Sequence, residues 1–320
     1  MGRTVAVTGV NSYFAQTLLP RLEADPDIDR VVGMDVSPWR HEGRYNKVEF
    51  RKADVRDPEM EELLQGVDTL YHLAFIVQEI HDKDEIEDVN VNGSRNVFEA
   101  AAKNGVRKVV YTSSITAYGA HPDNPLGLTE ESPLRGNSDS YYSSSKVKVE
   151  QFVRDYFRDR EDIVLTVFRV ALVVGPNMNN FFSDFWTRRA SIFPGGRQPH
   201  LQLLHEDDLG EVLHLAHQKD LPGVYNVAAR DALSARWVFD TAGVRLVCLP
   251  SGFLKAAANV AFALRLEKIS QGWLSLSEYT IFVSCDKIRE VSGWEPSHTS
   301  EQAFMDFLTS RGRAIVRTAA

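Results

Sequence analysis

Apolar and polar residues change rhythm repeatedly along the first half of the chain. Residues 3–8 form a short β-branched run, the mark of a buried strand, whereas residues 14–23 carry Leu18, Leu19 and Leu22 at helical spacing. Gly9, Val10, Asn11 and Ser12 predict a turn between them, and residues 30–35 predict a second strand closed by an acid, Asp35. The alternation continues with strands over 48–53, 69–74, 108–112 and 163–168 and helices over 58–65, 85–103 and 141–156. Asn104 and Gly105 stop the helix over 85–103, and the Gly, Pro, Asn and Ser residues of 119–138 predict a loop. Beyond residue 171 the pattern is irregular, with short strands over 201–204 and 224–227 and a helix of wide apolar face over 253–268. Strands alternating with helices imply an α/β fold built on a doubly wound parallel sheet, with a smaller C-terminal lobe.

Composition narrows the possibilities. The chain has 320 residues, 43% hydrophobic and 25% charged, enough for one large α/β domain with an appended lobe. Its net charge of −8, without a long Lys/Arg cluster, argues against a nucleic-acid partner. The longest apolar stretch, 253–264, is interrupted by Lys255 and Asn259 and is too short for a membrane span. Cys248 and Cys285 make no disulfide framework, and the nine histidines show no metal spacing, so no metal is expected. The chain enters a strand without a signal pattern, and a cytoplasmic protein acting on a small molecule is the expectation.

The chemistry begins with Tyr142 and Lys146. Four residues apart on a helix, they share a face. Free tyrosine titrates near pH ~10, and a neighbouring positive charge favours the phenolate, so the pair suits proton exchange with an alcohol or alkoxide. That is half of a carbonyl/alcohol redox step. The other half needs a nicotinamide. The strand-turn-helix-strand unit over 3–35 supplies a place for one, with a pyrophosphate at the helix N-terminus and Asp35 accepting from a ribose 2′-hydroxyl. Asp35 would repel a 2′-phosphate, so NAD is favoured over NADP. The three small positions of the turn are Gly9, Ser12 and Ala15. Ser12 sets a β-carbon towards the pyrophosphate but adds a hydroxyl donor.

Taken together, these features resemble the extended short-chain dehydrogenase/reductase family, which contains NAD-dependent sugar epimerases and dehydratases. Thr8-Gly9 with Ser12 and Ala15 is similar to the family's Thr-Gly-x-x-Gly-x-x-Gly loop. Asp54-Val55 resembles its pair beside adenine, His72-Leu73-Ala74 its strand end near the cofactor, and Asn90 to Ser94 its Asn-Val-x-Gly-Thr helix. Ser114 falls on the catalytic Ser/Thr position, and Tyr142 and Lys146 on Tyr-x-x-x-Lys. Arg169 with Gly175-Pro176, His205 to Asp208, Gly223 to Val227 and Gly293 to Pro296 match later signatures in order.

The resemblance implies an NAD-binding Rossmann domain over 1–170, to which 203–232 returns, and a substrate-binding lobe from 171–202 and 233–320. It implies Ser114, Tyr142 and Lys146 as catalytic residues. Cofactor contacts are expected from Gly9, Asn11, Ser12, Tyr13, Phe14, Asp35, Asp54, Val55, Leu73, Ala74, Tyr142 and Lys146. It also implies a homodimer through the helices over 85–103 and 141–156. Two residues carry blander readings as well: Asp54 as the cap of a turn, and His72 as a satisfied core histidine.

Departures bear on the substrate. Sugar 4,6-dehydratases carry Asp-Glu after the catalytic Ser/Thr; Ile115 and Thr116 stand there and argue against that elimination. Where many epimerases place a phosphate-gripping arginine, the chain has Leu201-Gln202, leaving Arg188, Arg189 or Arg197 as substitutes. Three readings follow: an NAD-dependent epimerase or oxidoreductase acting on a sugar nucleotide or polyol; a ketoreductase or hydroxysteroid-type dehydrogenase with an apolar substrate; and a non-enzymatic dinucleotide sensor. The last gives no reason for Ser, Tyr and Lys at working spacing.

Overall fold

A computed structural model describes residues 2–195, 199–265 and 270–313. Its first elements are β1 (Arg3–Thr8), α1 (Tyr13–Ala24), β2 (Ile28–Asp35), β3 (Val48–Lys52), α2 (Met60–Leu63) and β4 (Thr69–His72). There follow α3 (Lys83–Glu87), a π-helical turn (Asp88–Gly93), α4 (Ser94–Lys103), β5 (Lys108–Ser114), α5 (Tyr141–Phe157) and β6 (Val164–Val170). Beyond these lie β7 (Leu172–Val174), α6 (Phe181–Thr187), β8 (Ala190–Pro194), β9 (His200–Leu201), β10 (Leu203–His205), α7 (Glu206–Gln218) and β11 (Gly223–Val227). The chain closes with β12 (Leu233–Ser234), α8 (Ala235–Thr241), β13 (Arg245–Leu249), α9 (Ser251–Ala263), α10 (Gln271–Leu276), α11 (Asp286–Ser292) and α12 (Ser300–Ser310).

Seven parallel strands form the central sheet in the order β11-β6-β5-β4-β1-β2-β3. Winding reverses between β1 and β4, so a crevice opens at their C-terminal ends, where such sheets bind ligands. Apolar clusters cover both faces of the sheet. Leu18, Leu19 and Leu22 of α1 are fully buried in one cluster with Leu209, Val212 and Leu213 of α7, each leucine worth ~2 kcal/mol of burial. Phe98, Val149 and Val153 fill the other. The buried ammonium of Lys108 donates to the carbonyls of His217 at 2.7 Å and Lys219 at 2.9 Å, closing the C-terminal end of α7. The later elements pack around Trp186, Phe239, Phe304 and Phe307, with three two-stranded sheets outside the main one among the described residues.

Three expectations are corrected. The helix over 85–103 is not continuous: the π-helical turn interrupts it. That turn places Asn90 to accept from the Ile76 N–H at 2.7 Å and donate to its carbonyl at 3.0 Å, fixing the chain that leaves β4. Residues 201–204 are not one strand. Leu201 pairs antiparallel with β12, while Leu203 begins a parallel pairing with β7, and Gln202 turns inward between them. The apolar helix ends at Ala263, and residues 266–268 lie outside the described residues. Among the described residues no helix is long and apolar enough to cross a membrane.

Candidate active site

The crevice begins at Gly9, whose φ of +68° suits glycine; a Cβ there would lie 2.7 Å from backbone atoms of Ala74. β1 and β4 thus approach more closely than any other residue would allow. The Leu73 N–H donates to the Thr8 carbonyl at 3.2 Å and the Ala74 N–H to the Thr8 hydroxyl at 3.3 Å. Ser12 is the N-cap of α1, its hydroxyl accepting from the Ala15 N–H at 3.2 Å. Used as an acceptor there, the hydroxyl keeps its proton free to donate. The N–H groups of Tyr13 and Phe14 belong to the same first turn, the positive end of the helix.

Asp35 stands at the end of β2 beside this turn. Its carboxylate accepts from the Asn11 N–H at 3.1 Å, the Ser37 N–H at 2.9 Å and the Ser37 hydroxyl at 2.7 Å. The Asn11 amide donates to the Ser37 hydroxyl at 2.9 Å and the Pro38 carbonyl at 3.1 Å, so it braces the 37–40 segment. The Tyr13 side chain turns towards the start of α7, its hydroxyl donating to Glu206 at 2.5 Å. Asp54 is gripped by Arg56 at 2.6 Å and accepts the Arg56 N–H at 2.9 Å, the turn-capping geometry. Val55 is buried beside Gly93, where a Cβ would lie 2.5 Å from its methyl. His72 is a satisfied core histidine, between the Thr8 and Ser94 hydroxyls at 2.8 Å each; burial pushes its pKa down to about 3.

The cradle therefore fits a dinucleotide in four respects: a glycine-only approach at the switch point, a helix N-terminus with unspent donors, a hydroxyl proton at Ser12 and a carboxylate ending β2.

Ser114 ends β5, and Tyr142 and Lys146 sit on the first turns of α5. Thr116 donates to the Ser114 oxygen from its N–H at 3.2 Å and its hydroxyl at 3.0 Å, and Ser114 hydrogen-bonds Tyr142. The Lys146 ammonium donates to the Thr112 carbonyl at 2.7 Å and sits 3.5 Å from the centroid of the Phe75 ring.

The three side chains come together, but their proton affinities differ from the simple expectation. Burial pushes Tyr142 up to about 12, with the Ser114 hydrogen bond opposing it. Burial likewise drives Lys146 down to about 7, with Glu150 opposing. The ammonium lies 5.7 Å from the Tyr142 ring and faces Phe75 and Thr112 instead, so desolvation outweighs its pull on the phenol. Tyr142 rests as a phenol, a proton donor.

Sequence reasoning missed three neighbours of the site. Glu150, one turn beyond Lys146, holds Arg169 of β6 in an ion pair with neither side chain exposed. A third acceptor or donor at the same helical spacing was the available signal. Thr116, read above only as a departure, orients Ser114. Trp273, from α10, stacks on Tyr142 with ring centroids 5.2 Å apart; nothing in its local sequence marks it. Of the arginines named as substitutes, the Arg188 guanidinium lies 5.9 Å from the centroid of the Phe185 ring, Arg189 is exposed, and Arg197 lies outside the described residues. His205, His298 and Asp306 also gather donor atoms within 4.8 Å of one another. His205 Nδ1 accepts the Asp207 N–H at 3.1 Å, which leaves the neutral ring's proton on Nε2 and no lone pair there for a metal.

Comparison with known proteins follows the same lines. The chain belongs to the NAD dependent epimerase/dehydratase family, whose model matches residues 5–228, and NAD is the cofactor of that family. It is 28% identical over 317 residues to an uncharacterised protein of Mycobacterium tuberculosis, covering 97% of this chain and 84% of the relative. It is 35% identical over 188 residues to a UDP-glucose 4-epimerase of Mycolicibacterium smegmatis, covering 54% and 57% of the two chains. In fold it resembles a UDP-glucose 4-epimerase of Thermotoga maritima solved with UDP-glucose, with a TM-score of 0.77, 18% identity and coverage of 97% and 98%. The chain is thus an enzyme of the extended short-chain dehydrogenase/reductase type.

Proposed function

We propose that the chain is an NAD-dependent oxidoreductase or epimerase that exchanges a hydride at a secondary alcohol or ketone, with Ser114, Tyr142 and Lys146 as its reacting site. When bound, NAD supplies the hydride acceptor or donor. Ser114 orients the substrate oxygen, and Tyr142 gives that oxygen a proton or takes one from it. Lys146 holds the ribose side of the site and carries the charge balance. Gly9, Asn11, Ser12, Tyr13, Phe14, Asp35, Asp54, Val55, Leu73 and Ala74 form the cofactor cradle, through backbone groups where the side chains of Asn11 and Tyr13 turn elsewhere.

The observation that carries the reading is the chain of hydroxyls from Thr116 through Ser114 to Tyr142, set beside a buried lysine. Its domain division is residues 1–170 with 203–232 for NAD, and 171–202 with 233–320 for substrate. A homodimer through α4 and α5 belongs to the same reading, and a concentration-independent monomer in sedimentation would reject it. Replacing Tyr142 with Phe tests the chemistry: turnover should vanish while NADH binding persists. Unchanged turnover would refute the assignment.

A further inference from the structure

The phenol ring of Tyr142 is surrounded by carbon. Trp273 stacks on it at 5.2 Å with planes 28° from parallel, and Phe75 meets it edge-on at 5.7 Å. Phe181 and Phe182 meet Trp273 in turn at 5.1 Å and 4.9 Å. Two rings from separate parts of the chain flank the reacting group, and two more extend the cluster behind Trp273. Backbone contact sets where the indole sits. A Cβ at Gly272 would lie 2.5 Å from the Asp139 carbonyl oxygen, so α10 seats directly on the N-terminal end of α5. Ser275 donates to the Asp139 carboxylate and locks that seat.

Among the described residues, three polar side chains of the 171–202 segment already have partners within the protein. Asn180 accepts the N–H groups of Phe182 and Ser183 as the cap of α6. Asn177 donates to Glu206 at 2.6 Å. Gln202 donates to the Ala229 carbonyl at 2.7 Å and accepts from the Val283 N–H at 2.8 Å. A diphosphate requires cations or free donors, and a sugar ring requires unspent donors and acceptors. A hydrocarbon frame requires only apolar area, and the half-buried rings of Phe75, Phe181 and Phe182 around Trp273 provide that.

We infer that this site takes an apolar secondary alcohol or ketone, one whose reacting carbon belongs to a hydrocarbon ring or chain, and that Trp273 sets the specificity. The inference rests on the reading of Ser114, Tyr142 and Lys146 given above. In the oxidative direction the substrate carbon loses a hydride to NAD and its hydroxyl loses a proton through Tyr142 to solvent. The products are ketone, NADH and a proton, and the reverse direction consumes all three.

The test uses the full chain with NAD and measures NADH formation from cyclohexanol, a decalol and a 3-hydroxysteroid, beside oxidation of UDP-glucose and epimerisation of UDP-galactose. At least one apolar alcohol should exceed both UDP-sugars in kcat/KM by about a hundredfold. Trp273→Ala should raise KM for that alcohol about tenfold, and Trp273→Phe should recover most of that loss. Unaltered NADH binding establishes that both variants are folded. Turnover of a UDP-sugar without the alcohols, absence of turnover across the apolar panel, or an unmoved KM in Trp273→Ala would each overturn the inference. Tyr142→Phe separates the two claims. Apolar turnover that survives it defeats the catalytic reading alone, whereas UDP-sugar turnover that it abolishes defeats the substrate class alone.

Discussion

Glu150 and Arg169 form an ion pair with neither side chain exposed to solvent, one helical turn along α5 from Lys146. The Arg169 Nε donates to Glu150 at 3.0 Å, Ser113 adds a hydroxyl at 2.9 Å, and the guanidinium continues to the Tyr118 oxygen at 2.6 Å. The pair ties α5 to β5 and β6 and so fixes the helix that carries Tyr142 and Lys146. Removing one member strands the other charge in the interior. Glu150→Gln should lower the unfolding free energy by about 3–5 kcal/mol in urea denaturation. A loss below about 1 kcal/mol would show that water reaches the pair.

Lys146 makes stability depend on pH above neutrality. Its folded pKa, about 7, lies below the usual 10.5 because burial disfavours the ammonium. Between those values the unfolded chain holds a proton that the folded chain has lost, so stability rises as pH rises through that window. Lys146→Met should remove this rise. Urea midpoints at pH 7, 8.5 and 10 should converge between the two proteins as the wild type gains. Parallel profiles would contradict the burial of a largely neutral lysine.

His72 acts in the acid range. Its folded pKa is about 3, against an ordinary value of 6.5, and the cause is burial with Lys146 adding to it. Below 6.5 the unfolded imidazole takes up a proton that the folded one refuses, so stability falls as pH drops towards 3. His217, pushed down to about 4 chiefly by burial, adds to the fall. His72→Gln should flatten the decline in unfolding free energy between pH 6.5 and 4. An unchanged decline would place its origin elsewhere.

Ser12 separates a structural role from a cofactor role. It caps α1, and replacement by Ala should cost about 1 kcal/mol, replacement by Gly only about a few tenths. Both variants lose the hydroxyl donor. If that proton serves the pyrophosphate, Ser12→Ala and Ser12→Gly should both weaken NADH binding, although only the first loses much stability. Thermal melts and NADH titration on both proteins check this, and unweakened binding in both would confine Ser12 to capping.

The alternation of strand and helix was legible because each buried strand is a β-branched run and each helix carries one apolar stripe. β1, α1, β2 and α5 therefore emerge near their true limits. Tyr142 and Lys146 were placed on one helix face by their i, i+4 spacing, whereas Ser114 was marked only by the family resemblance. The interruption of the helix over 85–103 was not legible, since the π-helical turn goes with Asn90 bonding Ile76 in the segment after β4. Gln202 breaks its strand for a similar reason: its partners, Ala229 and Val283, come from elsewhere in the chain. The proton affinities of Tyr142 and Lys146 also escaped, because desolvation by Phe75, Tyr111 and Trp273 depends on packing that spacing does not encode.

The most direct measurement is a titration of the purified protein with NADH and with NADPH, followed by nicotinamide fluorescence, in the wild type and in Asp35→Ala. The account predicts saturable binding that prefers NADH in the wild type, and loss of that preference in the variant. Binding of neither nucleotide, or a preference for NADPH that Asp35→Ala leaves unchanged, would contradict it.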